Sequence, residues 1–265
     1  MKIAGVDGCH GGWVVAYYDD AEELKIKMCD VFRDILKSLM DYVIVVDMPI
    51  GLPELEEPEK GRRIADTEAK RELSCYGRGG AVFYAPAKKL IDALVTKGID
   101  LSYSEYNHQK VCEISEEITH KRISLQTFGI IRKIIEVNSI PKEERLKVFE
   151  FHPEITWVKT CEIMDKIDNM KLPSKKDKDG IHKRIECLCG YLKKEYNTIN
   201  TLIEQTRKNH CKDIAKDDIV DALSGLIVAK KISERIKENA IPDAIPKIQP
   251  KSNRSLPLPQ HILLN

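Results

Sequence analysis

The sequence predicts an α/β fold built on a mixed sheet, and three observations carry that expectation. Three β-like runs, KIAGVD, WVVAYYD and LKIKMCD, follow one another across short turns, and strands so joined form an antiparallel meander. A stretch of helical spacing at 31–41, VFRDILKSLMD, then leads into a fourth run, YVIVVD. After a helix that strand returns most simply beside the first, parallel to it, through a right-handed crossover. Finally, Asp7 ends the first run and Asp47 ends the fourth, so a parallel pairing makes the two carboxylates neighbours.

Taken in order, Gly8, Gly11 and Gly12 supply the turn out of the first strand, and 19–23 (DDAEE) supplies the turn into the third. From about 53 to 142 the chain becomes polar and mainly helical, through EPEKGRRIADTEAKREL and the glycine-rich CYGRGGAVFYAP, which reads as a helical insertion leaving by Asn138–Pro141. KVFEFHPE at 147–154 predicts a strand that brings Glu150 and Glu154 towards the same edge, and Pro153 opens a helix, as proline does at a first helical position. A charged loop, SKKDKDG at 174–180, precedes an amphipathic helix, HKRIECLCGYLKKEY, and the last long helix starts near Lys216. We expect one domain over 1–240 and an irregular proline-rich tail over 241–265.

At 265 residues the chain can bury a substantial core, and with 43 basic against 42 acidic residues it carries no global field to draw it to nucleic acid or membrane. Any polyanion site is therefore local. No apolar run reaches the roughly 18 to 20 residues of a membrane span, and MKIAGVDG lacks the apolar core of a signal peptide, so a cytoplasmic protein without membrane association is expected. Eight scattered cysteines form no CxxC pair, which reads as reduced thiols packed as small apolar groups rather than a zinc site. Cys9, beside Asp7, reads the same way rather than as a nucleophile.

The carboxylates carry the chemistry. A charge at a buried strand end is costly unless it is paired, hydrogen-bonded or bound to a metal. Asp218 and Asp221 add two more, side by side at i, i+3 on the late helix, at the edge of the stripe Ile219, Ala222, Leu223, Leu226, Ile227 and Ala229. Like charges so placed repel, and the helix gains nothing from having both; Asp217 can act as its cap, while Gly225 and Ala229 let it approach the sheet closely. Two strand-end acids and two helix acids form an oxygen-ligand set for two divalent ions about 3.5 to 4 Å apart, Mg²⁺ or Mn²⁺ by the hardness of the ligands. Such ions suit hydrolysis of a phosphodiester.

GVDGCHGGWVVA, VVDMPIGLP, FEFHPE and DDIVDALSG, in that order, resemble the family of predicted ribonuclease H-like nucleases catalogued as domain of unknown function 429. The resemblance runs from residue 1 to about 238 and takes in Asp66, Arg71, VFYAP at 82–86, Ser124 with Gln126, and SKKDKDGIHKR. It implies a ribonuclease H-like mixed sheet of order 3-2-1-4-5 with flanking helices. Its late helix is similar to that of Holliday-junction resolvases, where a DxxDALA pattern supplies metal ligands. By position the resemblance implies metal-binding and catalytic roles for Asp7, Asp47, Asp218 and Asp221, with Glu150 or Glu154 as a further contact and Glu150 preferred because it lies within the strand. Lys175, Lys176 and Arg184 are the residues expected to neutralise substrate phosphates, against a solvated loop as the plainer alternative, and Asp66 with Arg71 reads as an ordinary salt bridge. The family's usual acidic, strand-like ending is replaced here by KIQPKSNRSLPLPQHILLN.

The expected activity is thus a metal-dependent nuclease acting on nucleic acid or a nucleotide, its oligomeric state open and a homodimer among the options. Two other classes stay in play. An ATP-using phosphotransferase of the actin and sugar-kinase type shares the sheet and the aspartate before a glycine turn, though no second such turn occurs late in the chain. A non-catalytic nucleic-acid-binding module would need no complete set of acids.

Overall fold

The computed structural model describes residues 2–56, 61–163, 173–210 and 213–238. Its centre is a five-stranded mixed sheet of order β3-β2-β1-β4-β5, the order expected. Strands β1 (Lys2–Cys9), β2 (Gly12–Tyr18) and β3 (Leu24–Cys29) form the meander, and β4 (Tyr42–Val46) pairs parallel to β1 after helix α1 (Phe32–Ser38). The last strand, β5 (Val148–Glu150), pairs parallel to β4 and is shorter than the 147–154 run suggests, because Pro153 at once begins α6 (Pro153–Ile163).

Side-chain alternation divides the sheet into two apolar faces. Ala4, Val6, Trp13, Val15, Ile44, Val46 and Val148 lie on one face, packed against Phe32, Ile35 and Leu36 of α1. Val14, Ala16, Val43, Val45 and Phe149 lie on the other, against the late helix α9 (Lys216–Lys237) together with α6, α7 (Lys178–Leu192) and α8 (Tyr196–Asn209). Burying one such aliphatic side chain contributes about 1.5 to 3 kcal/mol, so these two faces supply most of the drive to fold. Helix α8 was not anticipated. Its sequence, YNTINTLIEQTRKN, is polar enough to pass for a loop, yet Ile199 and Ile203, four residues apart, put one narrow stripe into the core.

Between β4 and β5 lie the expected helices, α2 (Ile64–Ser74), α3 (Lys88–Thr96), α4 (Glu105–Thr119) and α5 (Leu125–Asn138). They are more than a cover, because α5 belongs to two cores. Phe128 and Ile131 pack with α3 and α4, whereas Ile134 and Val137 join the sheet's first face. Glu136 of α5 accepts the indole N–H of Trp13 at 3.1 Å, which ties that helix to β2. The proline-rich tail expected over 241–265 lies outside the described residues.

Two conformational details position the site. The hairpin between β1 and β2 closes at Gly12, whose φ of 136° only glycine adopts easily. Helix α9 crosses β1 in near-backbone contact: a Cβ on Gly5 would stand 2.2 Å from the Ala222 carbonyl oxygen and 2.8 Å from Gly225 Cα. The small residues on the inner face of α9 thus hold its first turns directly over the ends of β1 and β4.

Candidate functional site

The parallel register pairs Gly5 with Val45 and Val6 with Val46, and the Asp47 N–H bonds the Val6 carbonyl at 3.0 Å. One residue further on, Asp7 and Asp47 are side by side at the carboxyl ends of adjacent strands. By alternation both share the face of Val43 and Val45, the face that α9 covers. Asp218 and Asp221, in the first turns of α9, complete a cluster of four carboxylates drawn from three elements. Asp7 is 7% and Asp221 1% exposed, so desolvation is severe.

Electrostatics follow from that crowding. Burial, then Asp47, Asp221 and Asp218, hold the Asp7 carboxyl well above the ordinary carboxylate range. Burial and Asp221 push Asp47 up to about 8, and burial raises Asp218 to about 6 against the Ala215 N–H bonded to it. Asp221 is also raised, by burial, although an ammonium and an indole oppose the shift.

That ammonium is Lys175. Its Nζ donates to Asp221 Oδ2 at 2.6 Å and stands 3.9 Å from Asp217 Oδ2, and its charge acts on Asp7 and Asp47 as well. Burial would lower the lysine's pKa, but the surrounding carboxylates outweigh it and raise it. Lys175, expected to neutralise a substrate phosphate, lies within the acid cluster. Three of the four acids are also oriented separately. Asp7 accepts from the Gly8 N–H at 2.7 Å, Asp221 from Trp157 Nε1 at 2.9 Å, and Asp218 from the Ala215 N–H at 3.0 Å. Asp218, not Asp217, therefore caps α9. Among the described residues no three Asp, Glu, His or Cys side chains stand together as a ready metal shell.

Other expected site residues have different tasks. Glu150 pairs in register with Val46 and therefore points to the opposite face of the sheet from Asp7 and Asp47. There it accepts two hydrogen bonds from Arg63, at 2.7 and 2.8 Å, and one from the Ile50 N–H at 2.8 Å. The same guanidinium binds Asp66, whose Oδ2 also accepts the Ala85 N–H at 2.9 Å. Burial works against the Arg63 charge, and Glu150 with Asp66 more than compensates, raising its pKa. Asp66 is thus partnered by Arg63 rather than by Arg71, which pairs with Glu68 on the surface.

Arg184, expected to neutralise a substrate phosphate, is fully buried among protein partners. It bonds Glu154 at 2.9 Å, the Pro173 carbonyl at 2.9 Å and the Gly180 carbonyl at 3.0 Å, with Trp157 beneath it at 5.9 Å. Glu154 in turn receives Arg78 at 3.0 Å. Because a Cβ on Gly180 would come 1.9 Å from the Ser174 carbonyl oxygen, Arg184 and Gly180 together shape the loop that delivers Lys175. Lys176 is exposed, as expected, on a cleft of about 970 Å³ that also meets His10, Lys178, Arg207, Lys216 and Asp218. At Cys9, burial first, then Asp218, pushes the thiol up to about 11.

Sequence reasoning missed Arg63. Its only signal was its position immediately ahead of a helix containing Asp66, within a stretch polar enough to read as surface.

The fold and site together describe an α/β protein with a clustered-carboxylate centre at the carboxyl edge of a mixed sheet. Residues 5–244 match the family model described as "Protein of unknown function (DUF429)", and the chain belongs to that family. No curated protein and no solved structure matches it. No helix among the described residues is long and apolar enough to cross a membrane.

Proposed function

We propose that this chain is a divalent-metal-dependent nuclease with a ribonuclease H-like fold, hydrolysing phosphodiester bonds at the cluster of Asp7, Asp47, Asp218 and Asp221. One observation carries the reading: four carboxylates from β1, β4 and α9 are forced together in a desolvated pocket, where burial and mutual repulsion raise their pKa values. That arrangement is costly for stability alone, and elevated pKa values concentrate at functional sites.

The donor set suits Mg²⁺ or Mn²⁺, being all carboxylate oxygen with no thiolate or imidazole among the four. Lys175 already supplies a cation at this point, which supports the pocket's fitness for positive charge. Asp7, Asp47, Asp218 and Asp221 would hold the metal. Bound there, it would supply a water of lowered pKa and charge stabilisation for the departing oxygen. The chain's own residues do the rest. Trp157 fixes the rotamer of Asp221 and the Ala215 N–H fixes Asp218, so both present carboxylates without searching. Lys175 holds their charge while the pocket is empty of other cations. The adjoining cleft places Lys176 and Lys178 beside Asp177, Asp179, Glu204 and Asp213, so any contact to a phosphodiester strand there would come from individual side chains and not from a net positive field.

The phosphotransferase alternative has less support. Gly11, in the turn where phosphate would bind, donates its N–H to the Asp213 carbonyl at 3.0 Å and packs against the Asp213 side chain.

The test is cleavage of end-labelled single-stranded, duplex and hybrid oligonucleotides with Mg²⁺ or Mn²⁺, comparing the natural chain with Asp7→Asn and Asp218→Asn. Metal-dependent cleavage lost in both variants, with unchanged circular dichroism, is the expected result. Unchanged cleavage by both would sink the proposal, and ATP turnover without cleavage would favour the phosphotransferase.

A further inference from the structure

Outside the acid cluster, the helical insertion encloses a second cavity, of about 450 Å³, between the end of α4, the start of α5 and the segment 82–87. Its composition is one-sided. Arg62, Lys70, Lys121 and Arg122 line it, and none of its described lining residues is acidic, in a chain whose charges otherwise nearly cancel. Arg122 reaches Glu116 at 3.3 Å on the exposed rim, and no carboxylate among the described residues pairs with Arg62, Lys70 or Lys121. Four cations facing one concavity repel one another, and an anion relieves that repulsion.

The remaining wall narrows the kind of anion. Tyr84 lies under both Arg62, at 4.6 Å, and Lys70, at 5.3 Å, so its ring holds the two cations towards the cavity. Phe83 adds a second half-buried aromatic ring. Ser124 and Gln126 at the head of the fourteen-residue helix α5 add hydroxyl and amide groups. Guanidinium forks beside ammonium groups suit phosphate oxygens, and aromatic side chains next to them suit a base. The volume falls within the range of pockets that take small organic ligands.

The floor of the cavity is also tied to the catalytic edge. Ala85, in its wall, donates to Asp66, which Arg63 joins to Glu150 at the end of β5. Consecutive arginines thus face different ways: Arg63 inward to the sheet, Arg62 outward to the cavity. VFYAP and the Ser124–Gln126 pair, which carried part of the family resemblance without a role at the acid cluster, both line this one space.

We propose that this cavity is a nucleotide-phosphate site, separate from the acid cluster, that holds a phosphate with its base against Phe83 and Tyr84. The choice of a nucleotide rests on the nuclease reading; the anion site itself does not. Its occupant is either a free nucleotide or one unit of a strand.

Calorimetric titration of the full-length chain in EDTA with thymidine 5′-monophosphate and with a short oligothymidylate tests it without any metal chemistry. Saturable binding that weakens about tenfold or more, some 1.4 kcal/mol, in the paired variant Arg62→Gln/Lys121→Gln supports it. Both side chains are exposed, so the variant keeps its fold, to be checked by circular dichroism. Binding should survive in Asp7→Asn, which separates failure of this site from failure of the nuclease reading. Equal affinity for the two probes identifies a free nucleotide, and tighter binding of the oligonucleotide identifies a strand. Absence of binding, or an equal loss in the control Lys110→Gln outside the cavity, overturns the proposal.

Discussion

Gly5 of β1 and Gly225 of α9 meet backbone to backbone: a Cβ built on Gly225 would lie 2.7 Å from Gly5 Cα, 2.9 Å from Val45 Cγ2 and 3.2 Å from Phe151 Cζ. The contact sets how near the helix acids come to the strand acids. Gly225→Ala should therefore cost at least the roughly 1 to 3 kcal/mol of an overpacked core, and it should loosen the acid cluster with it. Urea denaturation would register the first effect. The second would show as a weaker response of the thermal midpoint to Mn²⁺ than in the natural chain. A variant that loses stability but keeps the full Mn²⁺ response would separate the two.

The metal-free protein should lose stability as pH rises from about 4 to about 8. Carboxyls raised in the folded state, Asp47 to about 8 and Asp218 to about 6 from an ordinary 3.8, bind more protons folded than unfolded across that window. Their contribution is present in full below the unfolded value and disappears as pH passes the folded one, by at most about 1.4 kcal/mol per pH unit and group. Thermal melts in EDTA at a series of pH values should slope downward, and Asp47→Asn should flatten much of that slope. Added Mn²⁺ should restore stability at the alkaline end.

Lys175→Met removes the ammonium from the cluster. In EDTA the variant should melt earlier near pH 8, because Asp221, 1% exposed, loses the charge at 2.6 Å. Its Mn²⁺ affinity, read by calorimetry, should rise several-fold, since metal and lysine compete for the same oxygens. An unchanged affinity would mean that the two cations do not share a place.

Arg63→Ala should cost about 3 to 5 kcal/mol, the usual penalty for stranding buried charge, here Glu150 and Asp66 together. Arg71→Ala, on the surface about two turns further along α2, should leave the denaturation midpoint where it was. A double substitution, Arg63→Met with Glu150→Gln, should recover part of the loss.

Much of this was legible in advance, for identifiable reasons. Turn lengths dictated the meander, and a helix between two β-runs dictated the parallel return, which alone makes Asp7 and Asp47 neighbours. Helical spacing set Asp218 beside Asp221. What escaped depended on register and partnership. A three-residue strand does not reveal which face its residues take until its pairing is known, so Glu150 was expected with the acids although Val46 carries it to the other side. Arg184 and Lys175 read as surface charges because periodicity registers polarity, whereas their burial depends on Glu154 and Asp221, distant in sequence. Asp66 was noticed but given to Arg71, since spacing along a helix cannot show that Arg63, just before it, turns inward.

Lys175 gives the cluster a life without metal. A pocket of four bare carboxylates would have to wait for an ion before its walls could close, and folding would then depend on supply. Because the loop shaped by Arg184 and Gly180 brings a counter-ion encoded in the chain itself, the protein can assemble this edge of the sheet in a metal-poor setting. On the nuclease reading, a bound metal ion would take over the place of that ammonium.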